Sequence, residues 1–149
     1  MSNTEAIKVL NDLVETSEDG KNGFAAASER ATDGQLKALF REYAEDCGRA
    51  LGELQESIRN LGGTPPDHGT VAGAAHRGWT KVKSMIEESN AAVLEEVERG
   101  EDHAKAVYAK ALKAELPPLI RAMVEKQRDG VLRHHDRVRE LRNQYRGKP

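Results

Sequence analysis

The chain has 149 residues, a formal net charge of -2, 32% charged residues and only 4% aromatics. That length suits one domain, residues 1–149, with a real core, and the near-balanced charge argues against a nucleic-acid partner. The single Cys47 excludes an internal disulfide framework, and no run approaches the ~20 apolar residues that a membrane span needs.

The first helix is predicted over about residues 4–31. Ser2 and Glu5 have capping-box spacing. Ile7, Leu10, Val14, Phe24, Ala27 and Ala31 share one face, with Ser17 and Lys21 in its middle. Gly20 and Gly23 weaken this helix by about 1 kcal/mol each relative to Ala and allow a bend. Thr32 and Gln35 offer a second capping box.

The second helix, about 33–61, carries the cleanest apolar stripe: Leu36, Phe40, Tyr43, Cys47, Leu51, Leu54, Ile58 and Leu61. Cys47 on that stripe reads as an inert thiol. Gly62-Gly63 ends the helix and Pro65-Pro66 prevents its continuation. Small residues then lead into a shorter helix over about 76–88, with Trp79 anchoring it. His76, Arg77 and Trp79 form a dense surface cluster there.

The third helix is predicted over about 90–115 and the fourth over about 118–144, separated by Leu116-Pro117-Pro118. Leu94, Val97, Ala104, Tyr108, Ala111 and Leu112 make the third stripe, and Glu101 stands within it. Ile120, Val124, Val131, Val138 and Leu141 make the fourth, with Gln127 and His135 inside. Two tight turns and one long connection predict two antiparallel hairpins joined by a crossover. This is the ferritin-like form of the all-α four-helix bundle. Up-down-up-down topology is the alternative.

Polar groups that face a core must be paired or they cost stability. Glu101, Tyr108, Gln127 and His135 therefore form an expected inward polar cluster. His134 is turned ~100° from His135 and is expected to face solvent. Carboxylate and imidazole groups at mid-helix also build metal sites, with iron or another divalent cation as the ion. Glu98, Glu101 and His135 are the candidate ligands, with Glu101 inward and Glu98 on the flank. The set is incomplete. No Glu-x-x-His occurs, Arg49 stands where a second-helix histidine is needed beside Glu45 or Asp46, and the first helix offers Glu15, Asp19 or Glu29, none clearly on its apolar face. No phosphate-binding glycine loop or nucleophile triad appears, which leans away from an enzyme. The basic end of the fourth helix, Arg133 to Lys148, reads as a solvated face that suits the helix dipole.

Several runs then carry a resemblance: Leu61-Gly62-Gly63-Thr64-Pro65, Ala75-His76-Arg77-Gly78-Trp79, and Glu98-Arg99-Gly100-Glu101-Asp102 followed by Tyr108. Leu116-Pro117, Gln127 and His135-Asp136 complete it. On these the chain resembles an uncharacterised bacterial four-helix-bundle family of the ferritin-like group, a domain of unknown function. The resemblance implies a ferritin-like bundle and a stress-related role, and supplies no catalytic residues. Missing the double Glu-x-x-His pattern argues against ferroxidase or peroxidase chemistry.

Two functions follow as expectations. One is a non-catalytic module acting through a partner or by self-association through helix faces, where Ala25 to Ala27, Gly48 and Gly52 permit close contact. The other is a carboxylate and histidine metal protein of the di-iron type that binds or oxidises iron. With no apolar leader after Met1, the cytoplasm is the default compartment.

Overall fold

Ser2 starts the first helix: its hydroxyl accepts from the Glu5 N–H at 3.2 Å, satisfying a donor that the helix itself leaves free. The computed structural model describes residues 1–66 and 89–146. Four helices occupy them: α1 (Asn3–Arg30), α2 (Gly34–Asn60), α3 (Asn90–Leu112) and α4 (Pro118–Arg146). Residues 76–88, predicted as a short helix, lie outside the described residues.

Helix ends follow local chemistry. Asp33, not Thr32, caps α2, accepting from Gln35 N–H at 2.8 Å and Leu36 N–H at 3.4 Å. Thr32 is drawn elsewhere, because its N–H and hydroxyl both reach Asn90 Oδ1, at 2.9 and 3.3 Å. Ser89 caps α3 through the Ala92 N–H. That helix stops at Leu112, three residues short of the predicted end. Lys113 and Ala114 tighten into bonds to the carbonyls three residues back. The following Leu116-Pro117-Pro118 run disfavours further helix.

Gly62 has φ +86° and closes α2. Its N–H donates to the Arg59 carbonyl and the Gly63 N–H to the Ile58 carbonyl, both at 2.9 Å. This is a Schellman ending, which needs a left-handed residue at Gly62. Gly62→Ala is expected to cost about 1 kcal/mol, read from the midpoint of urea unfolding at unchanged slope.

Apolar contacts set the topology. At one end Phe24 and Ala27 of α1 meet Leu36 and Phe40 of α2, Val93 and Val97 of α3, and Val138 and Leu141 of α4. At the other end Leu10 and Val14 meet Leu54 and Ile58, Tyr108 and Ala111, and Val124. So α1 runs antiparallel to α2 and to α3, and α4 runs antiparallel to α3. The chain leaves α2 at one end of the bundle and enters α3 at the other. The end of α2 and the start of α3 thus lie at opposite ends of the bundle, as the ferritin-like arrangement requires.

The glycines of α1 do not bend it out of the bundle, and the helix is continuous through both. Lys21 is exposed, whereas Gly20 is buried in the inward row. A Cβ on Gly20 would stand 3.0 Å from Cys47 Sγ, so the close approach of α1 to α2 occurs here. Gly48 and Gly52 make no such approach: a Cβ on Gly52 meets nothing within 4 Å.

Candidate functional site

The core falls into two apolar clusters, one toward each end of the bundle. Between them the helices carry polar side chains at the same height: Ser17 on α1, Cys47 on α2, Glu101 on α3, Gln127 and His134 on α4. Close packing joins α1 to α2 and α3 to α4, while α2 and α4 touch sparsely. A cavity of about 380 Å³ lies in this layer, lined by all four helices.

Glu101 is the unusual group of the cavity. It is 2% exposed, and its Oε1 has no hydrogen-bond partner among the described residues. Burial pushes its pKa well above the ordinary carboxyl value, and the charges of Asp102 and Asp136 push the same way. Lys105, one turn on, offsets this only in part.

Tyr108, Gln127 and His134 on the same wall have partners. Tyr108 donates its hydroxyl to Gln127 Oε1 at 2.9 Å, and Ser17 hydrogen-bonds the same phenol. Gln127 spends its amide hydrogens on the Ala50 carbonyl at 3.3 Å and Glu53 Oε1 at 3.1 Å. Burial raises the Tyr108 pKa. Burial, with Glu101 adding, also pushes Tyr43 and Cys47 up to about 12. The Cys47 thiol is therefore a poor nucleophile at neutral pH.

His134 does not face solvent. Its ring stacks on Tyr43 with centroids 3.8 Å apart and an interplanar angle of 21°. Its Nε2 lies 2.9 Å from Asp46 Oδ2. Desolvation, then the Arg133 charge, lowers its pKa to about 4. The neutral ring then donates Nε2–H to Asp46, whose other oxygen is held by Arg49. The approach of α2 at Tyr43 covers a side chain that helical phase alone puts outside.

His135, 3% exposed, belongs to a separate cluster between α3 and α4. Its Nε2 is 2.6 Å from Asp102 Oδ1 and 3.9 Å from Glu98 Oε2. Glu98 is not on a flank: it is buried, and Arg142 pairs with its other oxygen. Asp102 follows Glu98 by four residues and so shares its helix face, whereas Glu101 turns to the cavity.

The expected inward cluster thus divides. Glu101, Tyr108 and Gln127 line the cavity, while His135 joins Asp102 and Glu98 instead. The three proposed metal ligands do not converge. Among the described residues no group of three His, Cys, Asp or Glu side chains is placed to hold a metal ion. Glu98 is engaged by Arg142, and His135 Nε2 by Asp102. The orphaned oxygen of Glu101 stands without a second donor set around it. The donors that are described do not fit an iron pair. His76, Arg77 and Trp79 lie outside the described residues. On α1, Glu18 and Asp19 are buried, while Glu29 is exposed.

The sequence reading missed Asp102, Arg142 and the Asp46–His134 pair. A signal existed for the first two. Glu98 and Asp102 are one turn apart on α3, and His135 and Arg142 two turns apart on α4, so two acids can face two bases across one seam.

The family described as Domain of unknown function (DUF2383) matches residues 5–114. No curated protein matches the chain in sequence. Among solved structures it is similar to a two-domain protein of Anabaena variabilis that contains DJ-1/ThiJ/PfpI-like and ferritin-like domains. The identity is 15% and the TM-score 0.79, over 100% of this chain and 42% of that one. The likeness carries the fold, which is ferritin-like, and this chain spans less than half of that protein's length. No described helix is long and apolar enough to cross a membrane.

Proposed function

The chain belongs to the family described as Domain of unknown function (DUF2383), and on that premise we propose that it is a non-catalytic binding module whose mid-bundle cavity receives a small guest. One observation carries this reading. A buried carboxyl with one oxygen unpartnered among the described residues faces a cavity of about 380 Å³, a size that suits small-molecule sites. Such a group is destabilising unless something satisfies it. The rest of the wall favours holding over reacting. Cys47 keeps its proton to about 12, Tyr108 and Gln127 bond each other, and His134 is spent on Asp46.

A bound metal is the rival reading, supported by the ferritin-like fold and by two carboxylates near His135 Nε2. Two measurements separate them. After anaerobic Fe(II) loading and desalting, elemental analysis is expected to find less than stoichiometric iron in both the native protein and Glu101→Ala. One or two irons per chain, lost in the variant, would overturn the proposal. Phenethyl alcohol, a neutral probe, is expected to shift backbone amide NMR signals at Gly20, Ala104 and Gly130 on the cavity wall. No shift at any of these positions would count against a receiving cavity.

A further inference from the structure

We infer that the guest is a monoamine with an apolar body, its ammonium seated on the Glu101 carboxyl and its body against Phe24, Ala104 and Val131. The inference rests on the binding reading and names its ligand class.

Glu101 is where the cavity can discriminate. Tyr108 and Gln127 have closed their own hydrogen bonds, and Cys47 offers only a weak donor. The remaining lining includes Phe24, Ala50, Ala104 and Val131, which accept an apolar body and add no directional bond. The guest's polar end therefore has to meet Glu101.

The field at that point selects the sign of the guest. Asp102 and Asp136 both act on Glu101 as negative charges, and Glu101, once ionised, acts as one on Tyr43 and Cys47. An anion would face a repulsion that Lys105 offsets only in part. A neutral amide or alcohol can hydrogen-bond the carboxyl but leaves the field unused. An ammonium satisfies the orphaned oxygen with a charge-assisted bond, the stronger kind. The rim limits the guest to one charge. Lys126 and Arg133 are exposed there, while the rim acids are engaged, Asp46 by Arg49 and His134 and Glu53 by Gln127. A second ammonium at the far end would meet cations.

Seating the ammonium sends the Glu101 proton to solvent: the carboxyl O–H bond breaks and the ammonium keeps its own three protons. Affinity for an amine therefore rises with pH, whereas affinity for a neutral isostere does not. The groups beside Glu101 whose own titration is displaced stay constant near neutrality. Tyr43, Cys47 and Tyr108 remain protonated and His134 remains neutral.

The test compares phenethylamine with phenethyl alcohol, equal in shape, by NMR titration of the full chain and of Glu101→Gln. In the native protein the amine is expected to bind about tenfold more tightly, the share of one charge-assisted hydrogen bond. The preference should widen between about pH 6 and pH 8 while the alcohol's affinity stays flat. In Glu101→Gln the preference should vanish with alcohol binding kept within about twofold. Equal affinities in the native protein, or a preference that survives in Glu101→Gln, would overturn the inference and leave the cavity reading intact. If neither probe binds, the cavity reading fails and the inference falls with it.

Discussion

Arg142→Met is expected to lower the unfolding free energy by about 3 kcal/mol, while the double variant Glu98→Gln with Arg142→Met recovers most of that loss. The reason is the burial of the pair. The Glu98 side chain is 10% exposed and that of Arg142 20%, and the two are in direct contact. Removing the cation leaves a carboxylate desolvated with His135, 3.9 Å away, as its remaining partner among the described residues. Removing the charge as well takes away the penalty. An exposed pair would behave differently, because water screens both members and the single variant costs at most about 1 kcal/mol. The chain has such pairs for comparison. Arg137 and Glu140 are roughly half exposed, so Arg137→Met should be close to neutral. Urea unfolding of the two singles and the double at one pH decides the matter. A single-variant cost no larger than that of Arg137→Met would show that solvent reaches the Glu98 seam.

That seam marks where reading the sequence stopped short. Periodicity alone placed Leu36, Phe40, Leu54 and Ile58 on one face of α2 and Leu94, Val97 and Tyr108 on one face of α3, and all are buried. These positions depend only on the 3.6-residue repeat, which every stripe of the chain displays. The crossover likewise follows from one long connection between two tight ones. Glu98 depends on something else. Its own helix phase puts it at the edge of the apolar stripe, and only Arg142 and His135 arriving from α4 make its burial tolerable. His134 is the same case: Tyr43 and Asp46 come from a different helix, and helix phase cannot foresee them. Thr32 failed as a cap because Asn90, far away in sequence, competes for it. Periodicity thus finds the core. It does not find which partner claims a polar group at the core's edge, since that choice is made between helices.

Glu101 offers the second large effect, and its sign is opposite to that of Arg142. Glu101→Gln is expected to stabilise the protein at neutral pH and to leave it unchanged below about pH 4.5. In the unfolded chain the carboxyl ionises at an ordinary value, 4.5, whereas burial holds the folded-state value well above that. Between the two, the folded state binds a proton that the unfolded state has released. Stability contributed by the neutral carboxyl is therefore complete below 4.5 and is lost as pH rises toward the folded-state value, at ~1.4 kcal/mol per pH unit. Glutamine cannot ionise and shows no such loss. His134 contributes the opposite slope between about 4 and 6.5, so the native protein's curve alone is ambiguous. The difference between native protein and Glu101→Gln cancels that contribution. Chemical unfolding at several values from pH 4 to pH 8 is the measurement. A difference that grows steadily above 4.5 would establish a carboxyl held neutral by its surroundings. A constant difference, or a variant less stable than the native protein at pH 7, would mean that Glu101 is ionised and paired in the fold. It could not then be the unsatisfied group on which the binding reading depends. A stability cost at Glu101 is also what leaves a guest something to gain. An ammonium that relieves it should raise the native protein's stability more at pH 8 than at pH 5, and should do so without a comparable gain in Glu101→Gln.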